Sequence, residues 1–151
     1  MPDHKPIYKT YFFIDESGDP VFYGNHKKIL SGTKGFQPYL IIGMIETTNR
    51  KVLRKAVMGF INNIKADSLY NTISSVAVDK NWYVHARNDH PEIRAKFFEL
   101  IRNIKGYKAH IVIAKKDLGI FNSNHNNDPT KFYFDVLHHL LNGRLHNTQC
   151  Q

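Results

Sequence analysis

Apolar positions along this chain come in two patterns, short unbroken runs and longer stretches at helical spacing. Tyr11-Phe12-Phe13-Ile14 reads as a short buried strand halted by the turn formers Glu16-Ser17-Gly18-Asp19-Pro20. Val21 to Tyr23 can return as a second strand, so a hairpin is expected. Gly24 to Gln37, with three glycines and Lys27, Lys28 and Lys34, reads as a loop. Tyr39 to Ile45 is apolar on both faces, as an interior strand is.

From Thr48 the period changes. Leu53, Ala56, Val57, Phe60, Ile61 and Ile64 fall on one helical face, with Arg50, Lys51, Arg54 and Lys55 on the other. The stretch Lys65 to Val78 has no clear period, and either Val76 to Val78 or Trp82 to Val84 is expected to be a strand. A second helix is marked by the capping-box spacing of Asp89 and Glu92, by Pro91, and by Gly106 as its stop. Ala109 to Ala114 reads as another buried strand, and Asp128-Pro129 opens a third helix closed by Gly143.

Strands first, then strand and helix in alternation, predict an α/β domain with a mixed central sheet flanked by helices. At 151 residues the chain supports one ordinary core, so a single domain over 1–151 is expected, with 1–9 and 144–151 as flexible tails. The last eight residues have no apolar pattern, which raises the expectation that a covering strand and helix are missing.

Charge and cysteine content narrow the setting. Lys and Arg outnumber Asp and Glu by 21 to 13, a formal charge of +8, which suggests an anionic partner, nucleic acid before membrane. Cys150 is the only cysteine, so no intramolecular disulfide or cysteine-based zinc site exists, and a cytoplasmic location is expected. The N-terminus has no apolar signal region and no run is long enough to span a bilayer. An uncovered sheet edge would favour a homo-oligomer.

The sharpest local feature is Asp15-Glu16-Ser17-Gly18-Asp19, where an apolar strand delivers two adjacent carboxylates to its end. Hard cations such as Mg²⁺ take carboxylate oxygens, but neighbours on a strand point to opposite faces, so Asp15 and Glu16 share an ion only if the strand ends there. The plainer alternative is a polar turn, for which these residue types are selected. His85 suits a general acid or base, against the more frequent core histidine. Asp89 is explained as a helix cap, although a cap carboxylate can also lie near a metal. Lys115 and Lys116 could neutralise a phosphate, and Asp117 could add a carboxylate, against a solvated turn. Arg50, Lys51, Arg54 and Lys55 are better phosphate candidates, because no acid lies between Thr47 and Ala66. The adjacent His138 and His139 diverge on a helix and do not form a facing pair.

Phe13-Ile14-Asp15-Glu16-Ser17-Gly18-Asp19, the strand at 39–45, Val84-His85-Ala86-Arg87-Asn88-Asp89 leading to Arg94, Phe97 and Phe98, and the strand at 109–114 together resemble the family called domain of unknown function DUF3800. The resemblance covers about residues 10 to 143, and only Asp-Glu-Ser-Gly in its strand context is distinctive. It implies a ribonuclease H-like fold and a metal-dependent nuclease. Asp15, Glu16, His85 and Asp89 would then be catalytic, with Asp15, Glu16 and Asp89 holding Mg²⁺ or Mn²⁺. The chain departs from the family after Gly143, where a final helix with a Gln-x-x-Asp-like motif has no counterpart and Asp135 is a poor substitute. The competing expectation is a non-catalytic basic module that binds nucleic acid or protein. A weaker third is a hydrolase of a small phosphorylated molecule.

Overall fold

One strand organises the fold. In a computed structural model that describes residues 9–78, 81–85 and 89–145, β2 (Tyr39–Thr47) lies between β1 (Tyr11–Ser17) and β3 (Tyr107–Lys115) in an antiparallel three-stranded sheet. Most of both tails, and 86–88 of the motif segment, lie outside the described residues. The helices are α1 (Arg50–Ala66), α2 (Ser74–Ala77), α3 (Pro91–Asn103), α4 (Leu118–His125) and α5 (Pro129–Leu141). The architecture is thus α/β, with a wholly antiparallel sheet where a mixed one was expected. Parallel pairs need long crossovers, but each strand here returns beside its predecessor. None of the described helices is long and apolar enough to cross a membrane.

The chain divides into two compact units, 1–46 with 108–151, and 47–107 inserted between β2 and β3. Buried apolar side chains form one cluster in each unit, where the length suggested one core. In the first unit Leu40, Ile42 and Met44, alternate residues of β2, are shut off from solvent against Phe121 of α4 and Phe132, Val136 and Leu140 of α5. Phe22 completes this core, stacked on Phe121 at 3.8 Å and edge-on to Phe132 at 5.2 Å. At roughly 1.5–3 kcal/mol for each fully buried large side chain, these contacts are the principal stabilising term of the unit. In the second unit Ile61 and Ile64 of α1 and Ile93 of α3 pack with Tyr70, Val76 and Trp82. Phe60 and Phe97 meet at 5.5 Å between α1 and α3.

Several expectations change on contact with this packing. β1 runs on through Asp15 and Glu16 to Ser17 and pairs with β2, while Val21 to Tyr23 forms no second strand and only Tyr23 bridges Ile29. Val76 belongs to the short helix α2, and Trp82 to Val84 is not a strand. The helix α4 has no counterpart in the periodicity, because it is short and Asp117 starts it by accepting from the Ile120 N–H at 2.9 Å. The third helix is as expected: Asp128 accepts from Thr130 N–H at 2.8 Å, and Gly143 follows the end with φ +72°. β2 is buried on one face and β3 only partly covered on one, with Tyr39, Ile111 and Ile113 exposed.

The turn after β1 is held from inside. Gly18 has φ +94°, and a Cβ there would come within 2.5 Å of the Tyr39 carbonyl of β2, so only glycine passes. Asp19 Oδ1 then accepts from the Val21 N–H at 2.8 Å and from Lys116 Nζ at 2.8 Å. The Lys116 ammonium is fully enclosed, donates also to the Val21 carbonyl at 2.9 Å, and sits 4.7 Å from the Phe36 ring centroid.

Asp19→Ala strands that ammonium with one neutral acceptor and should cost about 2 kcal/mol, under the 3–5 of a fully buried pair because Asp19 is half exposed. Lys116→Met removes the buried charge while keeping the stem, and thermal melts should show a clearly smaller loss. Partial burial pushes the Asp19 carboxyl up, but the Lys116 hydrogen bond, the Val21 N–H and the Lys116 charge outweigh it and hold it below its ordinary 3.8. Its contribution is therefore present above that value and lost as pH falls through it and below. Melts from about pH 7 to about pH 3 should show the gap between wild type and Asp19→Ala closing at the acid end. A gap that stays constant would rule out this coupling.

Candidate functional site

The residues expected to act together separate into the two units. Asp15 and Glu16 lie in the first, His85 and Asp89 in the second. Because β1 continues to Ser17, Asp15 and Glu16 point to opposite faces of the sheet and do not serve one ion together. Glu16 lies near the Tyr133 phenol of α5, whose pKa is raised by burial and by the Glu16 charge. Asp15 is exposed on the other face, and its backbone carbonyl lies opposite Gly43 of β2.

Among the described residues no three His, Cys, Asp or Glu side chains gather closely enough to hold a metal ion. Among the described residues, then, no gathered donor set is present for the Mg²⁺ or Mn²⁺ centre that the resemblance implies. Asp89 is buried with both oxygens committed: Oδ1 accepts from Trp82 Nε1 at 2.9 Å, and Oδ2 from the His85 N–H. Nor does Asp89 cap α3. That position is taken by His90, whose Nδ1 faces the Glu92 N–H at 3.4 Å. Asp135 is likewise engaged, 3.2 Å from His125 Nε2 and 3.7 Å from His139 Nε2.

The cationic candidates also divide. Lys116 is excluded as a phosphate contact by its burial against Asp19, whereas Lys115 is exposed at the end of β3. Asp117 is the cap of α4. Arg50, Lys51, Arg54 and Lys55 are all exposed along the first turns of α1, which Asn49 opens by accepting from the Val52 N–H at 3.2 Å. The inserted unit holds eleven Lys and Arg against five Asp and Glu, and the rest of the chain ten against eight. Six of the eight net positive charges thus lie in 47–107.

The same unit contains an open cleft of about 440 Å³ lined by Ser74, Ser75, Val78, Trp82, Tyr83 and His85, with Asp89 in its wall. His85 is exposed rather than a core histidine, and its Nε2 lies 3.1 Å from the Tyr83 hydroxyl with the two rings 5.0 Å apart. Tyr83 is 58% exposed, and the Ser75 hydroxyl is buried with no hydrogen-bond partner among the described residues. Ser74, Ser75 and Tyr83 carried no recognisable motif. The visible signal was the Tyr83-x-His85 spacing beside the chain's single tryptophan. No family model, curated protein or solved structure matches the chain.

The Trp82–Asp89–His85 bonds close the base of this cleft. Asp89→Ala leaves the indole N–H and the His85 N–H buried without an acceptor and should lower stability by roughly 2–4 kcal/mol. Trp emission and far-UV melts should both move to lower temperature; an unchanged Tm would remove this aspartate from the support of the cleft.

Proposed function

We propose that the protein is a nucleic-acid-binding domain that grips the phosphate backbone through the inserted unit, chiefly along α1. The observation that carries this reading is the exposed face of Arg50, Lys51, Arg54 and Lys55, with no acid on the helix to offset it. Four cations on two turns, spaced by one and three residues, can meet successive phosphates, and neutralising them releases condensed counterions. The concentration of net charge in 47–107 supports the same unit as the one that meets the anion.

The resemblance to the DUF3800 family carries a second reading, a metal-dependent nuclease of ribonuclease H-like fold with Asp15 as its first carboxylate. What supports it is the position of Asp15, exposed near the end of an outer strand. The absence of a gathered carboxylate group among the described residues places it second.

Fluorescence anisotropy with a labelled oligonucleotide over a salt series tests the first reading. Each lost phosphate contact should flatten the plot of log affinity against log salt by about 0.7–0.9, so Lys51→Ala, Arg54→Ala and Lys55→Ala combined should reduce the slope by roughly 2–3. An unchanged slope would refute α1 as the interface. For the second reading, Mn²⁺ should raise Tm and promote cleavage of the same oligonucleotide, and Asp15→Asn should abolish both. Neither effect in the wild type leaves binding alone.

A further inference from the structure

The cleft at Tyr83 and His85 has a mainly apolar, aromatic lining with a few hydroxyl groups among it. It sits in the positively charged unit, and its groups match one kind of guest. We infer that it receives a single unpaired nucleobase, so that the nucleic acid bound is single-stranded. This deepens the proposed function and rests on it.

Tyr83 presents more than half its surface, and His85 is exposed beside it at a ring tilt of 39°, so the lining offers two exposed rings for stacking. Base stacking on exposed aromatic rings is tolerant of sequence and is a principal source of single-strand affinity. Val78, 85% exposed, supplies an apolar edge. Ser74, an exposed residue of the lining, adds a hydroxyl that both donates and accepts, as the edge of a base requires. Among the described residues that line the cleft the one carboxylate is Asp89, whose two oxygens accept from Trp82 Nε1 and the His85 N–H. A paired base is stacked inside its duplex and out of reach of such a cleft, whereas an unpaired one enters at little cost.

Trp82 makes the inference directly readable, because the chain's only indole lines the cleft and is 5% exposed. Two probes of equal length and charge separate base from phosphate: an oligothymidylate, and the same chain built of abasic sugar phosphates. The full chain should bind oligothymidylate about tenfold more tightly and show quenched Trp82 emission with it alone. Tyr83→Leu should erase the difference between the probes, and Tyr83→Phe, which keeps the ring, should restore it. Equal affinity for both probes in the wild type, or a preference that survives Tyr83→Leu, would overturn the base site while leaving phosphate binding through α1 standing. If neither probe binds, the proposed function fails first and this inference fails with it.

Discussion

A buried ammonium has to be answered, and in this chain the answer arranges the first unit. Lys116 has its charged end out of water, where an unpaired cation would cost several kcal/mol. It is met by Asp19, by the Val21 carbonyl and by the face of Phe36, three groups from segments well apart in sequence from β3. Satisfying it fixes where the chain goes after β1. The turn at Gly18 passes close under the β2 backbone, the next residues run back across the end of the sheet, and Phe22 arrives stacked on Phe121. The Asp-Glu-Ser-Gly-Asp segment is thus first a fold-making element. Its glycine and last aspartate build the turn, and its first two carboxylates are left on opposite faces of a strand.

The inserted unit follows a different logic. Its ends are tied by the Thr47 hydroxyl, which donates to the Gly106 carbonyl at 2.8 Å and accepts from the Asn49 N–H at 3.0 Å. An insertion between two neighbouring antiparallel strands starts and finishes at the same end of the sheet, so its closure entropy grows only slowly with its length. The unit has a small core of its own and carries most of the net charge. A buried Trp82–Asp89 bond there anchors the stretch from Trp82 to Val84, which lies in neither helix nor strand. Rigid support beneath and exposed rings above is the arrangement a stacking surface needs.

Local signals were legible wherever a short stretch of chain satisfies its own backbone. Asp128 with Pro129 and Gly143 bracketed α5, and the apolar face of α1 was visible in the spacing of Leu53 through Ile64, because caps and helical periods act within a few residues. Apolar runs at 39–45 and 109–114 were legible as strands, which the structure extends to 39–47 and 107–115. Whether both of their faces were covered was not. An unbroken apolar run looks the same in a two-sided core and in a sheet with one open face, and Ile111 and Ile113 proved exposed.

What the sequence determined by itself was the class of fold, the positions of three helices and two strands, the excess of positive charge and the basic face of α1. Tertiary structure alone decided which charges remain available. Lys115 and Lys116 are neighbours of the same residue type, yet one is exposed and the other is sealed against Asp19, ninety-seven residues away. Asp89 reads locally as a helix cap and is instead the acceptor for an indole seven residues before it. The reason is physical: a charge is assigned its work by its solvation and its partners, and both are set by contacts that linear spacing does not encode.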